Sequence, residues 1–447
     1  MFQKILIANR GEIAVRIIRA CREMGIQTVA VYSKADQNAL HTQLADECIC
    51  IGEAPATDSY LNMERILSAT VSSGADAIHP GFGFLSENAK FTRLCEACNI
   101  SYIGPDAEVI ERLGNKSEAR DAMIKAGVPV VPGTTHPVRD VKDAMPEAAK
   151  IGYPVMIKAA LGGGGKGMRV VRKAEEFESL FIQAQQETIK AFADDSMYLE
   201  KYIEHPRHIE FQILADQYGD VIHLGERDCT VQRRHQKMLE ESPSPVLNEK
   251  LRKEMGEVTV KAARAVNYCN AGTIEFLLDQ DGSYYFMEAN TRIQVEHGVT
   301  EMYTGTDLIK EQIRIASGEH LHLKQEDIRS LGHVIEARIN AEDPDRGFMP
   351  CPGRLESIHI PGGNGVRIDT AVYSGYEIPP YYDSMIMKVI VQDVDRDAAI
   401  RKMKSVLGEL VIEGIHTNLD FQYSILEQKD FVKGRYDTGF IQKHYNL

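Results

Sequence analysis

Residues 4–33 read KILIANRGEIAVRIIRACREMGIQTVAVYS, and their changes of period set the fold class. KILIAN is a short apolar run of the kind a strand covered on both faces shows. Ile13, Ile17, Ala20 and Met24 then recur at helical spacing, and Gly25 stops the helix. TVAVYS (28–33) is the next strand. The alternation continues with a helix over about 60–72, the strand ADAIHP (75–80) and a helix from Glu87 onward. Strands separated by helices build a doubly wound parallel sheet, and this α/β domain is placed at 1–113. Its Arg10-Gly11 turn lacks GxGxxG spacing, which argues against a dinucleotide site.

The character changes from Asn115. NKSEARDAMIKAGVPVVPGT reads as a helix closed by Gly127 and Pro129. YPVMIK (153–158), GGGGKG (162–167), MRVV (168–171), a polar helix near 175–192 and MYLEKYIEHPRHIEFQILAD (197–216) follow. They read as strand, glycine loop, strand, helix and strand: a small α+β lobe, about 131–203, in a second domain at 114–330. EESPSPVL (240–247) reads as a loop. A Gly- and Pro-rich stretch beginning DPDRGFMPCPG (343–353) leads to short strands and a terminal helix–strand unit, a mixed α+β domain at 331–447. Two to three domains suit a chain of 447 residues.

A Walker A loop ends in Lys-Ser/Thr and opens a helix, whereas GGGGKG joins two strands. It fits a hairpin tip whose backbone N–H groups close over phosphates. Lys158 ends the preceding strand, where an ammonium needs an anion. Consecutive glycines cost ordering entropy, which suits a lid that closes only over ligand.

GTIEFLLDQDGSYYFMEAN (272–290) holds two β-prone runs around Asp281-Gly282, a hairpin signal. A two-residue turn would pair Gln280 with Ser283 and set Glu275 opposite Glu288. Like charges so placed need a proton or a cation between them. With Asn290 they make an oxygen-only set that suits Mg²⁺ or Mn²⁺. Leu277, Leu278, Phe286 and Met287 argue for a buried hairpin rather than carboxylates splayed into water. Beyond it, Glu288, Asn290, Arg292, Gln294 and Glu296 fall at every second position, one face of an extended chain. Ala289, Thr291, Ile293 and Val295 take the other face.

The count of 51 Lys+Arg against 65 Asp+Glu gives a net charge of −14, which argues against nucleic acid or anionic membrane as the main partner. No apolar run is long enough to span a bilayer, and MFQKILIANRG has no signal-peptide layout, so a cytoplasmic location is expected. Eight cysteines lie scattered, and the Cys95–Cys98 pair falls in a helical stretch without a second pair to complete a zinc site. Reduced thiols are expected.

The motifs NRGEIAVRI, HPGFGFLSEN, NKSEAR, GGGGKGM, VQRRHQK, GTIEF, EANTRIQVEH and PPYYDSMI occur in one order along nearly the whole chain. That ordered set resembles the biotin carboxylases of the ATP-grasp superfamily. The resemblance implies ATP-dependent carboxylation of biotin on a carrier protein. It implies an ATP-grasp fold for the middle domain, with the glycine-rich lobe as lid. Lys116 and Lys158 then look like ATP phosphate contacts, with Gly164 and Gly165 in the lid. Glu200, Lys201, Tyr202 and Ile203 resemble the hinge that reads adenine, and His208, Gln232 and His235 further nucleotide contacts. Glu275 and Glu288 count among the ATP residues and, with Asn290, match the metal ligands. Lys237, Arg292, Gln294 and Val295 resemble the bicarbonate pocket. Glu296 matches the general base, with Arg292 and Lys237 beside it, and Arg338 the residue facing the biotin ureido oxygen.

Phe82 stands in the biotin loop where many relatives have Tyr; Leu161, Lys166 and Gly298 replace Gly, Arg and Pro. MIMKV (385–389) superficially looks like a carrier's Met-Lys-Met, but it lies within the YYDSMI block. A stand-alone subunit is therefore expected, with a separate biotinyl carrier and carboxyltransferase subunits, of the acetyl-CoA carboxylase type in fatty acid biosynthesis. A pyruvate or other acyl-CoA carboxylase is the alternative. A homodimer follows from the resemblance, through the region of Arg19 and Glu23. Two other readings are another ATP-grasp ligase, such as a carbamoyl-phosphate or amino-acid ligase, and a nucleotide-binding regulator without turnover.

Overall fold

Strands β1 (Lys4–Ile7), β2 (Gln27–Ser33), β3 (Glu47–Gly52), β4 (Ala77–His79) and β5 (Ser101–Tyr102) form a parallel sheet ordered β3-β2-β1-β4-β5. The computed structural model describes residues 1–159, 168–192 and 195–446, so GGGGKG, with Leu161, Gly164, Gly165 and Lys166, lies outside the described residues. Helix α1 (Gly11–Glu23) buries Ile13, Ile17 and Ala20, and Gly25 leaves it at φ 72 as a C-terminal stop. Sequence reading missed β3 and β5. Only Ile51 of β3 is buried, because the strand lies at the sheet edge, and β5 is two residues long. Strand order reverses between β1 and β4, and in such sheets ligands bind beyond the carboxyl ends at that point. There Asn9 donates from Nδ2 to the carbonyls of Pro80 and Phe82, both at 2.7 Å.

Two compact units emerge: Met1–Val128 with Arg207–Phe276 and Glu288–Leu447, and Pro129–Pro206 with Leu277–Met287. In the second, β6 (Val155–Ala159), β7 (Arg169–Val171) and β8 (Met197–Lys201) make an antiparallel sheet ordered β7-β6-β8. Phe177 and Phe181 of helix Phe177–Phe192 pack on Val155, Ile157 and Leu199. Helix Val141–Ile151 adds Ala144 and Ala148 to that core; sequence reading missed it, since Pro146 interrupts its pattern.

An eight-stranded sheet, most of it in the first unit, frames the site. It contains β9 (Arg207–Ala215), β10 (Val221–Arg233), β11 (Gln236–Ser242), β12 (Asn270–Leu278), β13 (Tyr284–Asn290) and β14 (His333–Asn340). Strands Met385–Asp393 and Val366–Thr370 complete the order β13-β12-β9-β10-β11-β14 beyond β14. Helix Arg396–Glu409 covers one face through Ala399, Met403 and Leu407.

Four local expectations need correction. Glu240, Glu241 and Ser242 are not loop but buried strand, paired with Glu336, Ile335 and Val334 of β14. Their polarity misled because their partner cations are remote in sequence: Glu241 takes Arg396 (2.6 Å) and His333 (2.7 Å). The hairpin closes over three residues, not two, so Asp279 rather than Gln280 meets Ser283 and the register expected to set Glu275 directly opposite Glu288 does not form. Gly282 N donates to Asp279 O (3.1 Å) and Asp279 N to Ser283 O (2.8 Å), with Gly282 at φ 88. Met287 is exposed rather than buried. Nor does the alternating stretch stay extended: β13 ends at Asn290, and helix His297–Thr304 begins just after Glu296.

Candidate active site

The β10–β11 connection turns through Arg234 and His235, both at positive φ (49 and 66), and sends Lys237 back along β11. Its Nζ meets three carboxylates: Glu210 of β9 (2.7 Å), Glu275 of β12 (3.1 Å) and Glu296 (2.7 Å). Arg227 donates to Glu210 at 2.6 Å from a fully buried position. Burial alone would raise the Glu275 carboxyl, but Lys237 and His208 hold it well below the usual range. Its oxygens also accept from Asn290 Nδ2 (2.8 Å) and Gln294 Nε2 (3.0 Å), and His208 Nε2 lies 2.7 Å away.

Glu296 is the junction. One oxygen takes Lys237 Nζ at 2.7 Å, and the other takes Arg338 Nη2 at 2.8 Å. Burial opposes its charge, yet Lys237, Arg338 and Arg227 together hold it well below the usual carboxylate range. Arg338 also grips Glu240 through Nε at 2.6 Å. Arg292 reaches Gln294 Oε1 (2.8 Å), Asn290 Oδ1 (3.2 Å) and Glu87 Oε2 (3.0 Å). Two cations, Lys237 and Arg338, thus converge on one buried carboxylate, with the Arg292 guanidinium and the Gln294 amide nearby.

Sequence models of known families match this chain in order. The biotin carboxylase N-terminal domain covers residues 1–110, the carbamoyl-phosphate synthase L chain ATP binding domain 115–324, and the biotin carboxylase C-terminal domain 336–443. A biotin carboxylase of Nostoc sp. is 58% identical over 442 residues, 99% of each chain. The chain belongs to the biotin carboxylase family. Its structure superposes on the Campylobacter jejuni biotin carboxylase–β-γ-ATP complex with TM-score 0.91, at 48% identity over 99% of each chain. For the biotin carboxylase domain of a thermophilic 2-oxoglutarate carboxylase bound to bicarbonate, the TM-score is 0.95 at 49% identity, over 99% of this chain and 98% of that one.

The other residues expected from the family divide between the units. In the first, Lys116 opens helix Lys116–Lys125, capped by Asn115 (Asn115 Oδ1 to Ser117 N, 3.1 Å), and is exposed. Gln232 pairs with Lys237 in the β10–β11 ladder, His235 is exposed in the turn, and His208 is buried. The Val295 carbonyl accepts Lys388 Nζ at 2.7 Å. Phe82 is half-buried, its carbonyl held by Asn9. At Gly298 a Cβ would lie 2.4 Å from Cδ1 of Ile390, which fills the space. In the second unit Lys158 is ion-paired with Glu200. Lys201 N donates to Pro132 O (2.7 Å), Tyr202 N to Pro154 O (3.0 Å), and Ile203 is buried. Glu23 pairs within the chain, with Lys310 at 2.6 Å.

A divalent cation fits Glu275, Glu288 and Asn290. Glu288 is exposed as a residue, yet desolvation of its carboxyl and the charge of Glu275 push its pKa up. A hard cation between the two would relieve that repulsion. Sequence reading missed Glu210, Glu240, Arg227 and Glu87. For Glu210 a signal existed: a glutamate within the apolar strand RHIEFQILA, where every position is buried.

Proposed function

We propose that the pocket around Lys237 activates bicarbonate at the expense of ATP and passes the carboxyl group to biotin on a carrier protein. The observation that carries this reading is Glu296 bonded at once to Lys237 (2.7 Å) and Arg338 (2.8 Å), a base set between two substrate-holding cations. Bicarbonate is a poor nucleophile until a carboxylate takes its proton, and Glu296 is the buried carboxylate for that task. An arriving anion on Lys237 and Arg292 offsets the charges that depress Glu296 and so strengthens it as a base. Arg292 supplies a planar fork for bidentate capture, which a lysine lacks.

Glu275, Glu288 and Asn290 would hold Mg²⁺, which supplies charge neutralisation at the triphosphate. Lys116, Lys158, Gly164 and Gly165 bind the phosphates; residues 200–203, His208, Gln232 and His235 bind the rest of the nucleotide. A bicarbonate oxygen attacks the γ-phosphorus, ADP leaves, and carboxyphosphate forms. That breaks to CO₂ and phosphate, the phosphate takes the ureido N–H proton of biotin, and the nitrogen attacks CO₂. Arg338 stabilises the oxyanion of the ureido group, an effect typically worth about 3–4 kcal/mol.

The finer assignment is a cytoplasmic homodimeric subunit of an acetyl-CoA carboxylase, working with a biotinyl carrier and carboxyltransferase subunits. The domain boundaries proposed are 1–113, 114–330 and 331–447. A carbamoyl-phosphate-type ligase draws support from the match over residues 115–324, but the two flanking matches favour biotin as acceptor. ADP release with bicarbonate, measured with and without free biotin, decides between them. Biotin-stimulated release that collapses in Glu296→Ala is the expected result; turnover independent of biotin with another acceptor overturns the reading. Affinity capture of the biotinylated partner tests the complex.

A further inference from the structure

Glu336 of β14 lies directly across from Glu240 of β11 in an antiparallel ladder. Both side chains are wholly inaccessible. Arg338 sets Nε (2.6 Å) and Nη2 (2.5 Å) on the same oxygen of Glu240, Oε1. The other oxygen, Oε2, has no hydrogen-bond partner among the described residues, and neither has either oxygen of Glu336. Three unsatisfied carboxyl oxygens on facing buried residues are costly as they stand. Facing residues of antiparallel strands carry their Cβ atoms about 4.5–5.5 Å apart, within reach of a carboxyl-to-carboxyl hydrogen bond.

We propose that Glu336 and Glu240 share one proton, Glu336 donating its O–H to Oε2 of Glu240, and that this proton keeps the positive field of Arg338 available to the biotin oxyanion. This rests on the reading of Arg338 as the residue that faces biotin. Two carboxylates at such spacing in a dry interior cannot both stay ionised. Burial pushes both carboxyls up, that of Glu336 furthest. Lys388 is the nearest opposing charge, and it lowers the Glu336 carboxyl less than burial raises it. Lys388, two residues along the neighbouring strand from the Ile390 that pairs with Glu336, is spent on the Val295 carbonyl (2.7 Å), Glu12 (3.1 Å) and Asp369 (3.7 Å). Arg367 on strand Val366–Thr370 holds Asp369 at 2.8 Å. Helix His297–Thr304 packs on Val334 and Ile390, and its His297 is kept neutral by burial, with a pKa near 3. Glu296 is ionised by Lys237 and Arg338.

With its proton, the pair presents one negative charge to Arg338; without it, two, and with Glu296 these anions outweigh a single guanidinium. Glu336 is thus a positioning residue acting through Glu240. Rising pH should strip the shared proton and quench the biotin-dependent step while leaving biotin-free ADP release unaffected. Infrared difference spectra of the full-length protein are expected to show a protonated carboxylic-acid carbonyl band that vanishes in Glu336→Gln and titrates at alkaline pH in the unsubstituted chain. The ratio of biotin-stimulated to biotin-free ADP release should fall at alkaline pH in the unsubstituted protein and stay flat in Glu336→Gln, whose amide keeps a donor on Glu240 at every pH. Absence of the band, or identical pH profiles in the two proteins, overturns the proposal. Arg338→Gln separates the two readings: undiminished biotin stimulation there sinks the assignment of Arg338 to biotin, while the band judges the shared proton by itself.

Discussion

Lys237 places one ammonium among three carboxylates, so its removal leaves Glu210, Glu275 and Glu296 facing one another in a dry pocket. Breaking a buried ion cluster on one side costs about 3–5 kcal/mol. Lys237→Met should lower the midpoint of urea unfolding accordingly and abolish bicarbonate-dependent ADP release. Arg338→Gln should act differently. Its biotin-stimulated rate falls by at least about a hundredfold, the loss expected for one oxyanion donor. Steady-state ADP release without biotin persists, because Lys237 and Arg292, the proposed bicarbonate contacts, remain. At this scale the sequence was partly legible. Glu296 and Lys237 belong to ordered motifs, but Glu240 gave no local sign, since its partner lies 98 residues away in the chain.

Helix His297–Thr304 follows Glu296 without a break, so what pins that helix also sets the Glu296 carboxylate. Glu301 pins it, accepting from Arg16 of α1 (2.9 Å) and from Arg367 (2.7 Å). Burial would raise its carboxyl, but those two guanidinium groups bring it down from 4.5 to about 2. A depressed carboxylate pKa stabilises the fold above the unfolded value and ceases to do so as pH falls through the folded one. Glu301 should therefore contribute about 3 kcal/mol at neutral pH, lost between pH 4.5 and about 2. Urea unfolding of Glu301→Gln should show that deficit at pH 7 and converge on the unsubstituted protein in acid. The helices of the first domain were legible because their apolar stripes are local. The strand at Glu240–Ser242 was not, because burying carboxylates depends on Arg338, Arg396 and His333, which only folding brings near.

The molecule keeps separate cores in its two compact units, Phe181 belonging to that of the second. Phe181→Ala removes a fully buried ring, at about 3–5 kcal/mol. The expected outcome is faster hydrogen exchange and proteolysis within 129–206, with amides of β9 and β10 in the first unit still protected. Uniform loss of protection across both units would contradict independent cores. The ion-pair cluster from Glu210 to Arg338 draws on strands spread over the first unit, so on the proposed reading activity should track stability of that unit's sheet.

From its order of motifs and its strand–helix periods, the sequence by itself determined the family and the parallel sheet and singled out Glu296, Lys237 and Arg338 as candidates, because those signals are local or collinear. Only the tertiary structure decided that Glu210, Glu240 and Glu336 join them. A carboxylate is tolerated in a dry interior only by groups brought to it from distant strands, and no spacing along the chain encodes that meeting.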